Sequence, residues 1–361
     1  MNNPIVGLSL FSGGGVAETY FKDTCVHIAV ANELLPKRAK FYQHTHPLAD
    51  MVCGDITDDL VFNTVIDKAK QAGVSFLMAT PPCQGMSTLG KREYVDDKRN
   101  SLVHYALNAI DILRPNYVLI ENVPKFAELL FDLDGTIYQS ENAEKKAYRI
   151  IELLETRYLS DYNIDMKILN AMNYGVPQSR PRAIIKMYRK ELSWPWPTEC
   201  DHVVTLREAI SDLPSLESGE HSNIKWHNAL KHNERQVEAL RHTPEGQSAM
   251  KNEVYCPKKA DGSRVKGFHN TYNRMQWDEP APARTTNNHL ISGHNNVHPG
   301  RLLPDGTQSD SRVLTFRELI IVSSLPLDWN IPEGIPEADI REIIGEAIPP
   351  LLSKKIIETI C

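Results

Sequence analysis

Five short apolar runs in the first third of the chain each end on residues able to do chemistry. Ile5 to Phe11 leads into Ser12-Gly13-Gly14-Gly15, His27 to Ala31 into Asn32-Glu33, and Met51-Val52-Cys53 into Gly54-Asp55. Val74 to Ala79 leads into Thr80-Pro81-Pro82-Cys83, and Tyr117 to Ile120 into Glu121. Runs of this kind read as buried strands. In an open parallel sheet, ligands bind beyond the carboxyl ends of the strands. The glycine loop, Glu33, Asp55, Cys83 and Glu121 are therefore expected along one edge.

Consecutive glycines let a backbone approach a ligand closely, although a tight strand-to-helix turn explains them too. Glu33 follows Gly13 by 20 residues, the spacing at which an acid accepts from ribose hydroxyls. The loop departs from G-x-G-x-x-G: Glu18 stands at the last glycine position, where it is expected to repel a pyrophosphate. A nucleoside ligand without phosphates, such as S-adenosylmethionine, fits better than a nicotinamide dinucleotide. Cys83 follows two prolines that stiffen its loop, which suits a nucleophile; a buried structural thiol is the plain alternative. Glu121 is a candidate proton donor if burial raises its pKa, and otherwise a helix cap. In Gln178-Ser179-Arg180-Pro181-Arg182 an extended backbone points Arg180 and Arg182 the same way, either toward one carbonyl-rich or anionic ligand or onto the surface.

The elements that must hold these residues follow from periodicity. Leu102, Ala106, Ala109 and Leu113 recur at helical spacing, residues 147–154 do the same, and Ile164, Met166 and Ile168 alternate as a strand. Alternating strands and helices imply an α/β fold, a doubly wound, mostly parallel sheet. The pattern fades beyond Trp194-Pro195-Trp196-Pro197, taken as a domain boundary, and returns as a helix from Leu351 to Ile360 after Pro349-Pro350. The expected organisation is a catalytic domain at 1–190 completed by 335–361, with a smaller second domain at 191–334.

A chain of 361 residues suits about two domains, and 41% apolar with 24% charged residues excludes a disordered or collagen-like chain. Long apolar spans and a secretory signal are absent, so a cytoplasmic protein without a membrane partner is expected. The six cysteines form no C-x-x-C pair and are read as reduced thiols. No metal-ligand cluster stands out, and His44-x-His46 near Cys53 reads as incidental. Net charge is -6, yet residues 221–301 hold 12 Lys/Arg against 7 Asp/Glu and 8 of the 13 histidines. A locally basic segment in an acidic chain is the footprint of a polyanion partner, or a solvated face.

Taken together these residues resemble the DNA (cytosine-5-)-methyltransferase family of restriction-modification systems. Phe11, Ser12, Gly13 and Gly15 look like the family's cofactor loop, Glu33 and Asp55-Ile56 like its ribose and adenine contacts. Pro81-Pro82-Cys83-Gln84 looks like its nucleophile loop, Glu121-Asn122-Val123 like its acid motif, and Gln178 to Arg182 like its Q-x-R-x-R motif. Arg317-Glu318 and Ile344 to Pro350 look like its last two motifs. Three positions depart from the pattern: Ser9 where Asp is usual, Val16 where a glycine is usual, and Glu346 where Asn is common.

The resemblance implies a Rossmann-like S-adenosylmethionine-binding domain and a target-recognition domain. It implies catalysis by Cys83, Glu121, Arg180 and Arg182 through a covalent Cys83 adduct, on a cytosine flipped out of duplex DNA. Pro82, Leu102, Glu346 and Ile348 join the implied cofactor contacts. Gln84, Ser87, Arg92, Arg99 and Gln178 are the implied DNA contacts, the middle ones on a loop with Gly85 and Gly90 as soft points. Product S-adenosylhomocysteine, no metal, a protein acting as a monomer on DNA in a prokaryotic cytoplasm, and a cognate restriction endonuclease complete the expectation. The competing readings are a transfer-RNA cytosine-5 methyltransferase, a catalytically silent DNA-binding regulator on the same scaffold, and a nicotinamide oxidoreductase.

Overall fold

The computed structural model describes residues 4–82, 102–138 and 146–361. Its centre is a seven-stranded sheet of β1 (Ile5–Leu10), β2 (Val26–Glu33), β3 (Asp50–Cys53), β4 (Phe76–Ala79), β5 (Tyr117–Asn122), β6 (Tyr162–Asn170) and β7 (Pro181–Arg189), in the order β3-β2-β1-β4-β5-β7-β6. The first five strands are parallel, and β7 runs antiparallel to both β5 and β6. β1 and β4 lie at the centre and are almost wholly apolar, as strands covered on both faces must be.

Helices cover both faces. α1 (Pro36–Thr45) starts on a proline, and α2 (Asp59–Gln71) is capped by Asp58, whose carboxylate accepts from the amides of Leu60 and Val61. α2, α3 (Leu102–Leu113) and α4 (Ile150–Tyr158) bury Phe62, Val65, Leu107, Ile110, Leu153 and Leu154 on one face of the sheet. The other face is closed by α9 (Pro350–Ile357), through Leu352, Ile356 and Ile357. Trp194, expected in a boundary stretch, is instead a core residue of that face: it is 1% exposed and its indole N–H donates to the Ile356 carbonyl at 3.0 Å.

Residues past Trp196 add no strand to the sheet. They contain α5 (Leu206–Ile210), α6 (Glu234–Arg241), α7 (Phe316–Val322) and α8 (Glu337–Glu346) among turns and short pairings. One apolar cluster joins Leu206, Met275, Trp277, Leu319 and Ile343 to Val16 and Phe41 of the sheet side. Its polar counterpart is a buried network in which Arg312 bridges Asp310 at 2.8 Å and Glu318 at 2.8 Å.

The expectation of six reduced thiols needs correction at one pair. Cys25 and Cys361 are joined as a disulfide, with Cα atoms 5.5 Å apart and a sequence separation of 336. Spacing in the chain gives no hint of such a pair, because folding β2 and the C-terminal turn onto one sheet edge is what brings them together. Cys53 and Cys200 are free and exposed, and Cys256 is free and buried. Among the described residues no helix is long and apolar enough to cross a membrane.

Candidate active site

The glycine loop leaves β1 through Phe11, which takes a left-handed φ of 59°. Ser12 donates from both its amide and its hydroxyl to the Asn32 carbonyl, at 3.0 and 3.1 Å. The Gly13 amide donates to Glu33 Oε2 and the Leu35 amide to Glu33 Oε1, both at 2.9 Å. The Glu33 carboxylate thus fixes the loop and still has lone pairs for a diol. Gly15 is obligatory, since its φ is +74° and a Cβ there would sit 2.6 Å from the His46 ring. Asp55 accepts from Thr57 through Oδ1 only, at 2.9 Å from the amide. Ile56 is buried beside it. Leu102 and Ile348 lie inside the two apolar clusters of the sheet. Glu346 is partly exposed and pairs with Arg38 at 2.9 Å. Its carboxyl is raised by partial burial, and the Glu33 carboxylate adds to that.

Glu18 does not face the ligand side, correcting the expectation that it repels phosphates. It is 2% exposed beneath the loop and receives hydrogen bonds from the hydroxyls of Ser9 and Tyr42. Burial pushes its carboxyl up to about 7, against those two donors. Ser9 and Glu18 belong together: the usual strand acid is absent, and an acid from the next turn occupies the space beneath the loop. His46 stacks on Tyr42 and is lowered to about 4 by burial. No group of three or more metal-ligating side chains occurs among the described residues.

On the next strands, Thr80 donates to the Phe11 carbonyl at 3.0 Å and Asn122 donates to the Pro81 carbonyl at 3.0 Å. The chain is therefore anchored up to Pro81. Cys83, Gln84, Ser87, Arg92 and Arg99 lie outside the described residues. Glu121 pairs with Ile184 across β5 and β7, so its side chain shares a sheet face with Arg182, two residues along. The result is an ion pair, Arg182 Nε to Glu121 Oε1 at 2.8 Å. Glu121 is 8% exposed, and burial pushes its carboxyl up against the pull of Arg182 and Arg180.

The two arginines do not serve one ligand in the same way. Arg180 is 4% exposed and donates to two backbone carbonyls, Arg284 at 2.5 Å and Gly345 at 2.8 Å. Burial, and then the neighbouring Arg182, lower its pKa well below the usual guanidinium value. The backbone break between the short strand Gln178–Ser179 and β7 turns Arg180 inward. Gln178 is likewise not at a DNA-accessible surface. It is 2% exposed, donates to the Val322 carbonyl at 3.1 Å and accepts from the Arg284 amide at 3.1 Å. Its strand pairs in parallel with Ala281–Pro282, which leaves the side chain between two protein backbones. Sequence reasoning missed Arg284 and Arg38, because isolated arginines in polar stretches carry no motif.

The geometry at this sheet edge agrees with what the chain is similar to. The model of the C-5 cytosine-specific DNA methylase family matches residues 5–361. Type II methyltransferase M1.HgaI of Avibacterium volantium is 46% identical over 360 residues, covering 99% of this chain and 98% of that one. Type II methyltransferase M1.HphI of Haemophilus parahaemolyticus is 27% identical, covering 98% and 86%. A putative DNA modification methyltransferase encoded within an E. coli prophage superposes with a TM-score of 0.67 at 18% identity, covering 98% of each chain. The Entamoeba histolytica methyltransferase EhMeth gives 0.63 at 14% identity, covering 99% and 98%. These two structural likenesses support the fold, a mostly parallel sheet with flanking helices. The family match over nearly the whole length, together with the full-length relative, establishes that the chain belongs to the C-5 cytosine-specific DNA methylases.

Proposed function

We propose that this protein methylates carbon 5 of a cytosine within a specific duplex DNA sequence, through a transient covalent adduct at Cys83. The observation that carries the reading is the buried Glu121–Arg182 pair at the carboxyl edge of the sheet. It stands beside the Asn122–Pro81 contact that anchors the approach to Cys83. Residues 191–334 are read as the target-recognition domain, and residues 1–190 with 335–361 as the catalytic domain. Relatives named type II methyltransferases support a restriction-modification setting, with a cognate endonuclease as partner.

Cytosine carbon 5 is a poor nucleophile, and its ring is hidden in a duplex, so the base is extruded first. The Cys83 thiolate then adds to carbon 6. Glu121, its carboxyl raised by burial, donates a proton to ring nitrogen 3 as charge develops there. Arg182 donates to the ring carbonyl and holds the base against Glu121. S-adenosylmethionine supplies the methyl group that the activated carbon 5 takes. Loss of the carbon 5 proton and expulsion of Cys83 complete the turnover.

The residues present fit that cofactor: Glu33, Asp55 and Glu346 offer carboxylates to a ribose and a cationic tail, and no cation stands in the glycine loop to hold a pyrophosphate. The test is methylation of a mixed-sequence plasmid with single-base mapping of 5-methylcytosine, run beside transfer RNA. Methyl groups at one recurring DNA sequence support the reading; methylation of transfer RNA alone, or of neither, overturns it. DNA carrying 5-fluorocytosine should become tethered to the wild type and not to Cys83→Ser.

A further inference from the structure

Arg284 is a buried cation with no carboxylate partner among the described residues. It is 1% exposed, and burial lowers its guanidinium to about 10. Its side chain is spent on the chain itself: Nε donates to the Pro282 carbonyl at 2.8 Å, and the two terminal nitrogens to the Asn295 carbonyl at 2.8 Å and Asn296 Oδ1 at 3.4 Å. These acceptors lie at the two ends of residues 284–296, so one side chain draws the neck of that loop together. Asn296 adds a second tie from inside, donating to the carbonyls of Asn287 at 2.7 Å and Leu290 at 2.9 Å.

The neck is also bolted to the catalytic edge. The Arg284 carbonyl accepts from Arg180, and its amide donates to Gln178, so its backbone is held on both sides. Asn288 donates to the carbonyls of Thr285 at 2.7 Å and Arg341 at 2.8 Å. Gly345 lets α8 press directly on this neck, since a Cβ there would lie 2.2 Å from the Thr285 carbonyl oxygen. Beyond the neck Asn287 is exposed and His289 and His294 are half-buried, with the Nδ1 atom of each ring turned away from solvent and the rest of the ring left at the surface. Amides and imidazoles of this kind suit the edges of bases.

A buried charge is expensive unless its hydrogen bonds are met, and here they are met only by holding one loop in one shape. We infer that Arg284 is a positioning residue for target choice: it clasps loop 284–296 at a fixed offset from the Glu121–Arg182 pair, so that Asn287, His289 and His294 read bases beside the flipped cytosine. The inference rests on the proposed methylation of DNA and adds the loop, its clasp and its readers.

The experiment compares wild type with Arg284→Met and Arg284→Lys by plasmid methylation with single-base mapping, alongside kcat/KM on the mapped duplex and S-adenosylmethionine affinity. Wild type is read first, because absence of cytosine methylation there overturns the functional proposal itself. For Arg284→Met we expect a consensus relaxed at one or more positions and kcat/KM on the cognate duplex reduced about tenfold or more, the range of one lost readout contact. Cofactor affinity should stay within about twofold, with Arg284→Lys intermediate. A folded Arg284→Met enzyme with unchanged consensus and unchanged discrimination overturns the inference. If that variant does not fold, Asn287→Ala/His289→Ala at the loop tip decides: a relaxed consensus supports the inference and an unaltered one overturns it.

Discussion

Burial raises the Glu121 carboxyl against the pull of Arg182 and Arg180, which makes it a readier proton donor than a glutamate in water. Glu121→Gln should therefore lower kcat by about a hundredfold or more while DNA and cofactor binding change little, as measured by single-turnover methyl transfer beside equilibrium binding. Equal losses in both would count against a proton-donor role. Cys83→Ser should abolish transfer and leave cofactor binding nearly intact. The placement of Glu33, Asp55 and Glu121 at strand ends was legible from the apolar runs that precede them. Roles were illegible where a side chain serves backbone: Gln178 and Arg180 sit in a motif that suggests ligand contact, yet their side chains join the sheet to α7, α8 and the neck of loop 284–296. Only tertiary packing distinguishes these two uses of an amide or a guanidinium.

At the level of elements, apolar runs identified β1 to β5 because strands buried on both faces must be continuous in hydrophobicity. β7 was harder, since Lys186 interrupts Ala183 to Tyr188 and its burial is made tolerable by the Trp194 carbonyl, the Trp196 ring and the charge of Asp165. α8 was not read as a helix: only its last residues, Ile344 to Glu346, stood out, as part of a motif, and the reason for Gly345 is not visible without Thr285 beside it. Gly345→Ala should force α8 and the 284–286 backbone apart and destabilise the fold by about 1–3 kcal/mol, the usual range for overpacking. A urea titration followed by circular dichroism measures this, and an unshifted midpoint would show that the contact yields freely.

For the molecule as a whole, pH should act mainly on the acid side. Burial lowers His46, His232 and His298 to about 4 from 6.5, so between those values the unfolded chain binds protons that the native one refuses. Stability is then lost as pH falls from 6.5 toward 4. Glu18, raised to about 7 from 4.5, opposes this, and so do Glu121 and Glu346, whose carboxyls are raised as well. Below 4.5 a further loss follows: burial disfavours the Glu318 carboxylate, but Arg312 and His298 hold it down to about 2. Imidazole resonances followed by NMR should therefore show His46, His232 and His298 still neutral at pH 5.5, and titration of all three near 6.5 would contradict their burial. Charge was legible in the sequence as a sum, whereas which histidines are sealed from water depends on the Arg312 network around them. The Cys25–Cys361 link has a topological outcome as well. It closes residues 25–361 into one covalent loop, so a protease that cuts one exposed turn between them leaves a single covalent species. On a gel without thiol reagent such a nicked protein should run as one band, and only added dithiothreitol should part it into two.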